Sequence, residues 1–219
     1  MNLNEDLAEF VGAMLGDGCL YLAKGKDRTR RVAILTGHIK NDYLYYEMTI
    51  RPIIIKNFEN RGYLTKRIKY NALVLVMSHS IYDFLKSLDF PTGKKREIKI
   101  PVKIFLNQRF AIACVRGIFD TDGSIYRKYS KMYEGHKRIY EGLTIEIKLN
   151  SKYLIEQINS VLAKESIKTN KITNYKKAYR LRITDQKHID KFMKVIAPNN
   201  MYHLERYLNR CQVPYIKGP

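Results

Sequence analysis

Apolar positions along the chain switch between two periods. Leu7, Phe10, Val11, Met14 and Leu15 recur at three and four, as on one face of a helix. Phe110, Ala113, Cys114, Gly117 and Ile118 do the same roughly a hundred residues later. Asn4 suits the N-cap of the first helix, with Glu5 and Asp6 favourable in its first turn. Period two follows: Cys19–Lys24 and Arg30–Ile39 read as strands around a basic turn at 25–29. Asn41–Asn60 reads as a helix that Pro52 should break or kink and Gly62 should end. Leu64–Lys69 and Ala72–Ser78 form a hairpin across Tyr70 and Asn71, and His79–Leu88 is a short helix. Phe90–Arg96 is a basic loop running on to Pro101. Then come a helix at Gln108–Asp120, strands at Ser124–Lys128 and Leu143–Asn150, and a helix at Lys152–Lys164. Strands at Lys171–Asn174 and Ala178–Thr184 precede helices at His188–Ile196 and Met201–Cys211.

The order is helix, hairpin, helix, hairpin, helix, and it occurs twice. Asp17 and Asp122 are 105 positions apart, Leu44 and Leu154 are 110 apart, and Ile81 and Ile189 are 108 apart. Offsets that drift so little argue for duplication. The expectation is an α+β fold of two αββαββα repeats, residues 1–97 and 105–219, with a linker at about 90–104. A pseudo-twofold axis would pass between the two leading helices.

The strands alternate. Leu143, Ile145, Ile147 and Leu149 interleave with Thr144, Glu146, Lys148 and Asn150, so one face is core and the other polar. A solvated face would look the same. Charge changes the picture: 40 Lys and Arg against 21 Asp and Glu give a net charge of +19, which points to a polyanion. A generally basic or ribosomal-type surface is the bland alternative. Arg28, Arg30, Arg31, Lys66, Arg67, Lys69, Arg127, Lys128, Lys177, Arg180 and Arg182 sit on or beside the strands. Two basic antiparallel sheets related by a twofold would form a saddle for double-stranded DNA, with strand side chains reading base edges. Cys19, Cys114 and Cys211 form no framework, which suggests reduced thiols inside the cell. Residues 1–6 do not read as a signal peptide, and no apolar run of 18 residues exists. The expected setting is cytoplasm or nucleoid, with no membrane partner.

Each leading helix ends in Asp-Gly: Asp17-Gly18 and Asp122-Gly123. The glycine suits a left-handed C-cap. The aspartate is disfavoured at the negative end of a helix, and two side by side would be worse unless a divalent cation lay between them. A solvated carboxylate at a helix stop explains one such end. It leaves the matched spacing of two unexplained. Gly12 with Gly16, and Gly117 with Thr121, are four apart and let helix backbones approach. A calcium loop, a zinc pair and a phosphate-binding glycine loop all fail on spacing.

Phe10–Gly18 (FVGAMLGDG) and Val115–Gly123 (VRGIFDTDG) resemble the nine-residue motif of the LAGLIDADG homing endonucleases, in the single-chain form with two motifs. Leu15 departs from the pattern at a variable position. The resemblance implies a site-specific double-strand DNA endonuclease that works as a monomer on a long asymmetric target. It implies cutting across the minor groove, 3′ overhangs, and a gene that is intron-borne or free-standing. Asp17 and Asp122 would hold Mg²⁺ or Mn²⁺, together with Gly16 and Thr121. Polar or basic residues near the reacting water are expected at the matched positions His38 and Lys148. Lys95, after the Pro91-x-Gly93 turn, would serve as a basic catalytic group. The second half has Asn199-Asn200 in that place, so Lys148 would substitute there. The same fold also serves as an RNA-binding splicing cofactor acting on intron RNA, which would need the basic surface but not the acids. A transcription factor that keeps the fold without the cutting is a third reading.

Overall fold

The computed structural model describes residues 2–24, 29–95, 97–131 and 139–209. Helix α1 (Glu5–Asp17) begins as its sequence dictates, with the Asn4 side chain accepting from the Leu7 N–H. It runs directly into β1 (Gly18–Lys24), which pairs with β2 (Thr29–His38). Helix α2 (Tyr43–Tyr45) continues through a π turn (Tyr46–Ile50) into α3 (Arg51–Phe58). Pro52 does not break the helix, but the helix changes from π to α form just before it. In the π turn the Arg51 N–H reaches back five residues to the Tyr46 carbonyl. Pro52 therefore enters at the start of a new helical segment, where a missing donor costs least. Glu59, in the left-handed region at φ 51°, ends α3 ahead of Gly62.

Strand β3 (Tyr63–Arg67), a 3₁₀ turn (Ile68–Tyr70) and β4 (Ala72–Met77) form the second hairpin, and α4 (His79–Lys86) closes the first half. Short helix α5 (Val102–Phe105), which the apolar pattern does not show, precedes α6 (Gln108–Asp122). The second half continues with β5 (Gly123–Lys131), β6 (Ile139–Leu149), α7 (Lys152–Lys164), β7 (Thr173–Tyr175), β8 (Ala178–Ile183), α8 (Gln186–Val195) and α9 (Met201–Leu208). The sheets have the same antiparallel order, β1-β2-β4-β3 and β5-β6-β8-β7. Among the described residues no helix is long and apolar enough to cross a membrane.

Helices α1 and α6 pack against each other as the spine of the molecule. A Cβ on Gly12 would overlap the Cys114 carbonyl, and one on Gly117 would overlap the Glu9 carbonyl. The backbones therefore touch where only hydrogen fits. Leu7, Phe10 and Met14 are fully buried at this spine, each worth about 1.5–3 kcal/mol. An Asp at a helix C-terminus costs only about 0.3–1 kcal/mol, so the packing carries the two unfavourable ends easily.

Gly18 and Gly123 are not left-handed caps. Both are extended, at φ −81° and −82°, because each helix turns straight into a strand. Their need for glycine is steric: a Cβ on Gly18 would lie 2.6 Å from the Met14 carbonyl oxygen, and one on Gly123 would overlap Phe119. The segment before α5 is also more than a tether. Ile98 and Ile100 are buried, Ser151 Oγ donates to the Ile98 carbonyl at 2.7 Å, and the Ile100 N–H donates to Gln157 Oε1 at 2.7 Å.

Candidate active site and nucleic-acid interface

The crossing of α1 and α6 delivers Asp17 and Asp122 to one place. Asp122 Oδ2 reaches across to the other motif and would stand 3.1 Å from a Cβ on Gly16. A cavity of about 170 Å³ opens there, lined by Gly16, Asp122, Lys95 and Lys148. A second, of about 510 Å³, is lined by Asp17, Thr121, His38, Asn41, Asp42 and His203 among others. Each acid thus opens beside the backbone of the opposite motif. All five residues singled out for catalysis line one cavity or the other. Thr121 Oγ1 turns back to donate to the Gly117 and Ile118 carbonyls at 3.0 and 3.1 Å. Any cation contact from Thr121 falls to its main chain.

Burial raises the pKa of Asp17 above the ordinary carboxylate range, and the charges of Asp122 and Asp42 push it further, while Lys95 works against them. Asp122 is raised by burial and opposed by Lys95. Lys95 itself is lowered by burial against the pull of both acids. Its ammonium donates to the carbonyls of Met14 (3.2 Å), Leu15 (2.9 Å) and Gly16 in the last turn of α1, where Met14 also accepts from the Gly18 N–H. Helix α1 has no basic residue in its own last turn, so Lys95 supplies the cation its C-terminus lacks.

Asn200 lies 105 positions after Lys95 and caps α6 in the same sense. Its Nδ2 donates to the Asp120 carbonyl and to Asp42 Oδ1, both at 2.9 Å. The structure gives the second half a neutral amide there. Lys148 does not stand in at that point; it joins Lys95 in the cavity beside Asp122.

Sequence reasoning missed Asp42. It is 9% exposed, lines the Asp17 cavity, and accepts from the His38 N–H at 2.6 Å. Burial raises its pKa, and the bonds from His38 and Asn200 oppose that rise. It is the N-cap residue of α2, but no pattern marks it as facing Asp17. It also missed Asp120, the sixth motif position, which is fully buried and accepts from the N–H groups of Asn199 (2.9 Å) and Asn200 (3.2 Å). Glu9 is buried as well, bonded by Asn199 Nδ2, Tyr45 OH and Arg116. A charge set within an apolar stretch of the helix was the available signal for Glu9 and Asp120.

Strand alternation decides which cations can face a groove. Arg30 and Arg31 are neighbours, so they point to opposite faces. Arg31 pairs with Asp83 of α4 at 2.7 Å, and Lys66 lies 4.1 Å over the Tyr43 ring, so both sit on the helix side. Arg127 registers with Leu143, also on the helix side. Arg30, Arg67, Arg180 and Arg182 belong to the outer face by register. Lys69 and Lys177 are exposed at turns. Arg28 and the Lys128 side chain lie outside the described residues. The two outer faces differ in chemistry. The first sheet presents Tyr21, Val32, Ile34 and Val76, where a polar face was expected. The second presents Glu146, Lys148, Arg180 and Arg182, with Glu146 clamping Arg182 at 2.6 Å and Arg180 at 3.4 Å.

The donors at the helix feet are carboxylates and carbonyls, all hard oxygen groups of the kind that Mg²⁺, Mn²⁺ and Ca²⁺ take. Burial disfavours the charged form of both acids, and the neighbouring carboxylates add repulsion at Asp17; a divalent cation would offset both effects, so the residues fit one.

The fold is similar to that of solved LAGLIDADG endonucleases. Residues 109–197 match the family model of the LAGLIDADG-like domain. Structures of mesophilic variants of the homing endonuclease I-DmoI are similar at a TM-score of 0.63 and 20% identity, over 88% of this chain and 95% of that one. I-DmoI in complex with DNA and Mn gives 0.62 and 19%, over 89% and 97%. The LAGLIDADG meganuclease I-AabMI bound to uncleaved DNA gives 0.64 and 12%, over 96% and 90%. No curated protein matches by sequence.

Proposed function

We propose that the chain is a site-specific double-strand DNA endonuclease that acts as a monomer with Mg²⁺ or Mn²⁺ and is encoded in an intron or free-standing. The observation that carries this is the pair Asp17 and Asp122, brought together at the feet of crossed helices, each beside the backbone of the other motif. The repeats 1–97 and 105–219 would each serve one half of a long asymmetric target. Outer-face cations Arg30, Arg67, Arg180 and Arg182, with Lys69 and Lys177 at turns, suit phosphate and base contacts.

Asp17 and Asp122, with the main-chain carbonyls of Gly16 and Thr121, would hold the metal, which supplies charge offset and water activation when bound. The Gly16 carbonyl already accepts from Lys95; a carbonyl has a second lone pair to give. Lys95 and Lys148 stand where they can offset phosphate charge beside Asp122. His38 stands where it can order a water beside Asp17. Acids this close suit phosphates that face each other across the narrow minor groove, which leaves 3′ overhangs. No feature favours the splicing-cofactor reading over cutting.

The test uses a plasmid carrying the joined flanks of the gene. Asp17→Asn and Asp122→Asn should each abolish double-strand cutting while binding survives, because an amide cannot hold the cation and neither residue is needed to read bases. Wild-type rates in either variant would remove that residue from the chemistry.

A further inference from the structure

Tyr46 carries a hydroxyl that the fold leaves without a protein partner. Its side chain has no exposure, and among the described residues its oxygen has no hydrogen-bond partner. A buried hydroxyl in that state costs stability and calls for an explanation. Its place supplies one. Tyr46 lies one helical turn after Asp42, and both side chains converge over Gly37: a Cβ there would lie 2.7 Å from Tyr46 OH and 2.7 Å from Asp42 Oδ2. Gly37 lines the cavity of Asp17, and its bare backbone makes room for both oxygens. The carboxylates whose charges act on the phenol are Asp17 first, then Asp42 and Asp122. Tyr46 also opens the π turn, an irregularity that often marks functional positions.

We propose that Tyr46 is a positioning residue for the Asp17 side of the site, donating its hydroxyl hydrogen to the Asp17 ligand set only once a divalent cation is bound. Asp42, held by the His38 N–H and by Asn200 Nδ2, fixes the wall against which the phenol rests. The Asp122 side has Lys95 and Lys148 in its cavity instead, so the donor serves one side alone. This inference rests on the metal-dependent nuclease reading.

Tyr46→Phe removes one oxygen and keeps the ring. Three quantities decide the matter: the melting temperature without metal, its rise with Mg²⁺, and the nicking rate of each strand. Without metal, Tyr46→Phe should melt at or above wild type, since it deletes an unpaired buried group. Loss of an outer partner of a metal site typically costs about 10- to 100-fold in metal affinity or activity. The Mg²⁺ concentration for half of the melting shift should rise by that factor. One strand should be nicked more slowly by a like factor, and the other should stay within about twofold of wild type. Unchanged Mg²⁺ dependence together with unchanged nicking of both strands would overturn the proposal. So would a lowered metal-free melting temperature with both strands slowed alike, which marks a structural hydroxyl. If wild type cuts no DNA, the nuclease reading fails on its own, and the Mg²⁺ melting midpoints of the two proteins still decide the role of Tyr46.

Discussion

Lys148 is the single side chain whose role the fold most sharpens. Its strand places it on the outer face, and it lines the cavity of Asp122 with Lys95. Lys148→Met should lower the single-turnover cutting rate by roughly 10²-fold, the range of a positioned proton-transfer or charge-offsetting group. Affinity should fall by only about 1 kcal/mol, one phosphate contact among many. Lys177→Met, at an exposed turn, should change affinity alone. Equal rates for the two variants at saturating enzyme would make Lys148 an ordinary groove lysine. The acids give a second test. Burial raises Asp17 and Asp122 in the fold, above an unfolded value of about 4. A raised carboxylate contributes stability that is fully present below the unfolded pKa and is lost as pH rises through the folded one. With Asp122 raised to about 6 and Asp17 to about 8, metal-free protein should therefore lose this contribution between about pH 4 and about 8. The difference in melting temperature between wild type and Asp122→Asn isolates it from the easing repulsion among 40 cations. The rise in melting temperature with Mg²⁺ should be greater on the alkaline side of this range, where protons no longer compete. A greater rise at acid pH would contradict the assignment.

The two motif helices depend on their glycines for contact, not for turns. Gly12→Ala and Gly117→Ala each place a methyl into the backbone of the partner helix. Overpacking costs about 1–3 kcal/mol, roughly 2–12 °C of melting temperature for a chain of this size. Because the same crossing sets the separation of Asp17 and Asp122, both variants should also cut poorly at temperatures where circular dichroism shows them folded. A folded variant that cuts at the wild-type rate would mean the site tolerates a wider crossing.

For the molecule as a whole, the net charge of +19 implies binding dominated by phosphates. If roughly eight are neutralised, log Kd against log salt should change with a slope of magnitude about 7. A magnitude near 2 would leave the charge unaccounted for. The unlike sheets imply unequal reading: Arg180 and Arg182 beside Glu146 can make directed hydrogen bonds to bases, while Val32, Ile34 and Val76 offer only apolar contact.

Periodicity, duplication and the two Asp-Gly ends were readable in the chain because each is local: helix and strand periods need only neighbours, and the offset of 105 needs only counting. That much carried the element order and the two acids at the helix ends. Everything that depends on which backbone meets which was decided by packing. The extended Gly18 and Gly123, the unbroken helix at Pro52, and Lys95 on the α1 carbonyls are of this kind. So are Arg31 and Lys66 facing the helices, the buried chain from Glu9 through Asp120 and Asn200 to Asp42, and the unpaired hydroxyl of Tyr46. A one-residue shift in strand register turns a cation from groove to helix layer, and a hydrogen bond between residues 158 positions apart leaves no local trace.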